Sequence, residues 1–97
     1  MKIVKKDGET IIALEGRLDT VTAPELANTV KDLEFKKLVI ALEKLQYISS
    51  AGLRALLLCQ KTADQKEASM EVKNPTAAVA NVMKMSGFDK VLTIKEE

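Results

Sequence analysis

Two adjacent serines, Ser49 and Ser50, sit where the apolar pattern of the chain changes period. The stretch is Tyr47-Ile48-Ser49-Ser50-Ala51-Gly52-Leu53-Arg54. The strand-like run Leu38 to Leu42 leads toward it, and Leu53, Leu56, Leu57 and Gln60, flanked by Ala55 and Cys59, lead away at helical spacing. The serines therefore stand at the N-terminus of a helix, where free backbone N–H groups and a partial positive charge collect. A phosphate there is stabilised rather than repelled, and it adds up to about two negative charges to the surface. Ser50 is the candidate acceptor. Serine is also a favoured N-cap, so the pair can equally serve only to start the helix. Arg54, one helical turn on, can pair with a phosphate or stand as an ordinary surface arginine. Asp19 follows another strand and reads either as turn chemistry or as a contact residue at the sheet edge that carries Ser50.

The remaining chemistry is mostly excluded. Histidine is absent, which removes the commonest general base and metal ligand and rules out Ser-His-Asp and Cys-His constellations. One cysteine without histidine cannot form a structural zinc site or an intrachain disulfide. The glycines Gly8, Gly16, Gly52 and Gly87 are scattered, so no phosphate-cradling loop forms and no cofactor is expected. The pattern favours a charge switch over a catalyst. Cys59 reads as a small buried residue, and Met83, Met85 and Phe88 as core or as a soft binding surface.

The elements that position the serines follow from pattern and punctuation. Ile3-Val4 is an edge strand, Asp7-Gly8 a hairpin turn, and Thr10 to Gly16 a second strand. Thr22 is placed to cap a helix over Ala23 to Leu33, with Pro24 in its first turn, Glu25 at the capping-box offset, and Leu26, Val30 and Leu33 facing inward. Leu38 to Leu42 reads as a strand buried on both faces. Gly52 to Ala63 is the second helix and Ala68 to Val72 a strand that ends at Asn74-Pro75. Thr76 caps a third helix with Val79, Val82 and Met83 inward, closed at Ser86-Gly87-Phe88. Val91 to Ile94 is the last strand. The order β-β-α-β-α-β-α-β predicts one α/β domain over residues 1–97, a mixed, mostly parallel sheet packed by three helices.

Composition narrows the partners. The 15 basic and 14 acidic residues leave a net charge of +1, against a nucleic-acid binder with its basic stripe. At 3% aromatic there is no stacking platform for single-stranded bases. No apolar run approaches the length of a membrane span, no signal-peptide pattern opens the chain, and the single cysteine fits a reducing cytoplasm.

Taken in order and spacing, Glu15-Gly16-Arg17-Leu18-Asp19, the strand Leu38 to Leu42, Tyr47 to Arg54, Asn74-Pro75 and Met85-Ser86-Gly87-Phe88 resemble a STAS domain of the anti-sigma factor antagonist type. The resemblance implies partner switching. The unphosphorylated protein binds an anti-sigma factor that is also a serine kinase, phosphorylation breaks the complex, and a PP2C-type phosphatase restores the antagonist. The acceptor it implies is the second residue before the glycine, Ser50, with Asp19, Ser49, Gly52 and Arg54 alongside as partner-binding residues. Many members carry Asp before the acceptor where this chain has Ser49, which makes Ser49 the alternative acceptor. Many also add a helix after the last strand, whereas this chain stops at Glu97, which leaves room for an exposed apolar face or self-association. Two other functions compete. One is a STAS interaction module without a phosphorylation cycle, in a lipid-transport or stressosome-like assembly. The other, a nucleotide-binding or catalytic domain, has no support in the residues.

Overall fold

The structure is a computed structural model describing residues 1–97. The elements are β1 (Lys2–Lys6), β2 (Glu9–Leu18), α1 (Ala23–Asp32), β3 (Lys37–Ile48), α2 (Ser50–Gln65), β4 (Ser69–Lys73), α3 (Ala77–Ser86), a 3-10 turn (Phe88–Lys90) and β5 (Ile94–Lys95). The strands lie in the order β1-β2-β3-β4-β5. β1 runs antiparallel to β2 and every other pairing is parallel. Asp7 and Gly8 both take positive φ, 50° and 82°, the twist that closes a two-residue hairpin.

The register puts Thr10, Leu38 and Met70 in one row and Ile12, Ile40, Val72 and Ile94 in the next. These rows meet Leu26 and Val30 of α1, Leu53, Leu56 and Cys59 of α2, and Val79 and Met83 of α3 in one buried cluster. The opposite face carries Val4, Ile11, Val39 and Glu71 in a row. Val39 is buried there too, so the centre of β3 is enclosed from both sides as its apolar run predicts. Glu71 lies between Lys37 and Lys95, each 3.0 Å from one of its carboxylate oxygens, and this ion ladder ties β3 to β4 and β5.

Several boundaries differ from the sequence reading. β2 and β3 continue to Leu18 and Ile48 because the ladder between them slips twice, between Ala13 and Glu15 and between Gly16 and Arg17. Each slip adds an unpaired residue to β3, so its buried positions become Leu42, Leu45 and Ile48, three apart rather than two. Thr22 has helical dihedrals and no capping bond. Its hydroxyl instead donates to the Arg17 carbonyl at 2.9 Å and accepts from the Asp19 N–H at 2.9 Å. Thr76 does cap α3, accepting from the Val79 N–H, and Gly87 closes that helix at φ 80°. On α3, Val82 is exposed rather than inward, and Leu33, after α1, is only half-buried. The final strand is shorter than expected, because residues 88–90 wind into the 3-10 turn before Leu92 enters the core.

Candidate functional site

Leu18 and Ile48 are paired at the ends of two parallel strands, so Asp19 and Ser49 leave the sheet at the same edge. The Ser49 N–H donates to the Leu18 carbonyl at 3.0 Å, holding the exit of β3 against the exit of β2. Ser49 is extended (φ −98°, ψ 176°) and is the N-cap of α2. Its hydroxyl accepts from the Gly52 N–H at 3.2 Å and lies 3.5 Å from the Leu18 carbonyl. Ser50 is the first helical residue, two positions before the Gly52 start read from the sequence. It is exposed, and its hydroxyl makes no hydrogen bond. The two serines thus part company: one hydroxyl is built into the helix start and the other faces solvent.

Gly52 brings α2 onto the strand end. A Cβ there would lie 2.4 Å from the Leu18 carbonyl oxygen and 2.8 Å from Ile48 Cγ1. Glycine is needed for this close approach rather than for an unusual dihedral. Arg54, on the next turn, is exposed and forms no ion pair. It lines a shallow groove between α1 and α2 whose apolar part is Ala23, Ala27, Ala51, Ala55 and the exposed Leu58, with Thr20, Asn28 and Lys31 as its polar part.

Asp19 is a turn residue as well as an edge residue. Its Oδ1 accepts from the N–H groups of Val21 at 3.0 Å and Thr22 at 3.2 Å, and its backbone carbonyl accepts from the Ala23 N–H. These bonds cap α1 in place of Thr22. The N–H groups of Thr22 and Val21, with the Arg17 guanidinium and the Thr22 hydroxyl adding, hold the carboxyl below its usual range. Arg17 Nε donates to Asp19 Oδ2 at 3.3 Å, and the guanidinium lies 4.1 Å from the centroid of the Tyr47 ring. Arg17 and Tyr47 face each other across the ladder only because of its second slip, at a point where Gly16 takes φ 76°. The sequence reading passed over both as site residues. The available signal was the chain's one tyrosine, three residues before Ser50 and at the end of an apolar strand. Cys59 is buried, which pushes its thiol up to about 12, as its inert reading requires. Met83 is core, Phe88 is half-buried against the core, and Met85 is exposed.

A family model described as Mlab, STAS domain, matches residues 1–94. The chain belongs to the STAS domain family. This STAS domain is 31% identical over 93 residues to BtrV of Bordetella bronchiseptica (strain ATCC BAA-588 / NCTC 13252 / RB50), assigned as an anti-sigma factor antagonist, with 93% of this chain and 80% of BtrV covered. An anti-sigma F factor antagonist of Paenibacillus polymyxa is 29% identical over 91 residues, covering 90% of this chain and 78% of the relative. These relatives place the STAS domain in the anti-sigma factor antagonist group. Its fold is that of the antagonist SpoIIAA. The unphosphorylated form of SpoIIAA superposes with a TM-score of 0.86 at 16% identity, covering 99% of this chain and 86% of SpoIIAA. The phosphorylated form gives 0.71 at 15% identity, covering 99% and 89%. No helix of the STAS domain is long and apolar enough to cross a membrane.

Proposed function

We propose that this STAS domain is an anti-sigma factor antagonist that works by partner switching in the cytoplasm, with Ser50 as the phosphorylated residue. The unphosphorylated chain binds an anti-sigma factor that is also a serine kinase. Phosphorylation of Ser50 dissolves the complex, and a PP2C-type phosphatase resets it. Asp19, Ser49, Gly52 and Arg54 form or support the contact surface around Ser50, and the protein itself is not a catalyst.

The observation that carries this reading is the unequal state of the two serines. The Ser49 hydroxyl is engaged by the Gly52 N–H, whereas the Ser50 hydroxyl is exposed and unbonded at the first position of α2. A kinase can reach Ser50 without dismantling the helix start, and the phosphate it leaves is favoured by the helix dipole. Ser49 in place of the commoner Asp keeps the cap, since serine and aspartate are equally good there, and removes one negative charge beside the acceptor. SpoIIAA, whose fold this chain shares, has been solved in both unphosphorylated and phosphorylated forms.

The test is peptide mass spectrometry of the chain from its native cell, before and after PP2C-type phosphatase, joined to affinity measurements with the anti-sigma factor. Phosphate on Ser50 that the phosphatase removes is the expected result. Ser50→Ala should bind normally and resist phosphorylation. Ser50→Asp should lose at least about tenfold in affinity, or ~1.4 kcal/mol, with an unchanged fold. Phosphate confined to Ser49, or full affinity in Ser50→Asp, would count against the assignment. One observation favours a second reading: the matching family model is described as Mlab-type. In that reading the chain is a constitutive STAS module of another assembly, such as a lipid-transport system. An unmodified chain under every growth condition, co-purifying with such an assembly, would select it.

A further inference from the structure

Arg17 is held in place but not saturated. The second slip of the β2–β3 ladder sets it directly opposite Tyr47. Its guanidinium stacks on the Tyr47 ring at 4.1 Å, and Nε is tethered to Asp19 Oδ2 at 3.3 Å. That is the only hydrogen bond its side chain makes, so both Nη nitrogens are unbonded on a side chain 62% exposed. Asp19 is fixed in turn by the N–H groups of Val21 and Thr22, so its carboxylate stays at the Nε side and does not cover the Nη fork.

An ordinary surface arginine loses considerable rotamer freedom when it pairs with an acid. This one is pre-set by a ring beneath it and an acid at its flank, so less is lost on pairing. The planar guanidinium keeps its end-on edge, between the two Nη nitrogens, free to hold a carboxylate bidentately. Tyr47 is 43% exposed beside it, and tyrosine next to arginine is the usual make-up of an interface hot spot. Taking the partner-switching reading of the preceding section as its basis, we propose that Arg17, Tyr47 and Asp19 form a docking surface whose Arg17 fork receives a carboxylate of the anti-sigma factor.

The same geometry supplies the release step. Tyr47 and Ser50 are three residues apart, at most about 11 Å of chain, and the Debye length in the cell is about 8 Å. A phosphate on Ser50 adds up to about two negative charges at the sheet edge that carries this surface, at a separation comparable with the Debye length. The partner's acid is repelled without any movement of the fold.

The experiment is titration of the full chain with the anti-sigma factor that binds its unphosphorylated form, at low and physiological salt, with thermal unfolding as a control for folding. Arg17→Lys keeps the charge and loses the fork, and should weaken binding by about tenfold. Arg17→Glu should weaken it by about a hundredfold. Changing the facing acid of the partner to arginine should recover affinity for Arg17→Glu alone. Tyr47→Leu should weaken binding by a smaller factor. Both arginine variants binding within twofold of wild type, while Ser50→Asp still blocks the complex, would overturn the docking surface and leave the switch standing. Normal binding by Arg17→Glu together with altered removal of phosphate from Ser50 would overturn it too, since the fork would then serve the chain's own phosphate. If no anti-sigma factor binds wild type or Ser50→Ala, the partner-switching reading fails and this surface falls with it.

Discussion

Gly52 is caught between the backbone carbonyl of Leu18 and the side chain of Ile48. A side chain tip can swing aside, but a carbonyl in a strand cannot. Gly52→Ala should therefore destabilise the fold by about 1–3 kcal/mol, read as a lower midpoint in urea. An unchanged midpoint would show that α2 can slide away from the strand end. At the neighbouring cap, Ser49→Ala should cost about 1 kcal/mol, whereas Ser49→Asp should be close to neutral. The strand-to-helix junction was anticipated from the sequence. The different states of Ser49 and Ser50 were not, because two adjacent serines before a helix are equivalent until the capping N–H is located. Cys59 belongs at this scale as well: with its thiol pushed up to about 12 by burial, it should resist alkylation in the native protein and react on unfolding.

Among the elements, β3 shows most clearly what pattern reading misses. The continuous apolar run Leu38 to Leu42 identified the strand, but the polar residues Glu43, Lys44 and Gln46 interrupted that run and suggested that the strand had ended. Two slips in the ladder convert the period to three, and the strand runs on to Ile48. A bulge depends on two strands at once, so neither segment reveals it alone. Gly16 sits at the second slip with φ 76°, and open space surrounds the position of a Cβ. Gly16→Ala should thus cost about 1 kcal/mol through backbone strain rather than collision. It should also disturb the Arg17–Tyr47 stack, visible as a shift in the Tyr47 ring resonances; identical ring shifts would show that the slip does not depend on glycine. β5 fails in the opposite direction. Val91, Leu92 and Thr93 favour strands, yet only Leu92 is buried, and the preceding 3-10 turn consumes the chain needed for a longer pairing.

Across the whole molecule, the core gathers three helices on one face of the sheet, while an ion ladder braces the other. Lys95 and then Lys37 hold the Glu71 carboxyl below its usual range, and the same contact with Glu71 raises Lys37. A depressed carboxyl stabilises the fold above its unfolded value, about 4.3, and that contribution is lost as pH falls through the folded value. The raised lysine contributes below its unfolded value, about 10.4, and its share fades as pH rises through the folded one. Stability should be level through neutrality and fall on acidification, and Glu71→Gln should flatten the acid limb; an identical pH profile in that variant would mean that the ladder is idle. The one-domain α/β architecture was legible because helix and strand periods alternate cleanly, whereas the ladder joins three strands far apart in the sequence and left no local sign. Gly52 has a consequence beyond stability. Folding constrains that position and the carbonyl it rests on, while Arg17, Tyr47, Ser50 and Arg54 project from the scaffold so fixed. On the partner-switching reading, duplicated copies of such a chain are free to diverge at the projecting positions and acquire separate allegiances, so that several circuits of one design can run side by side in a cell without crosstalk.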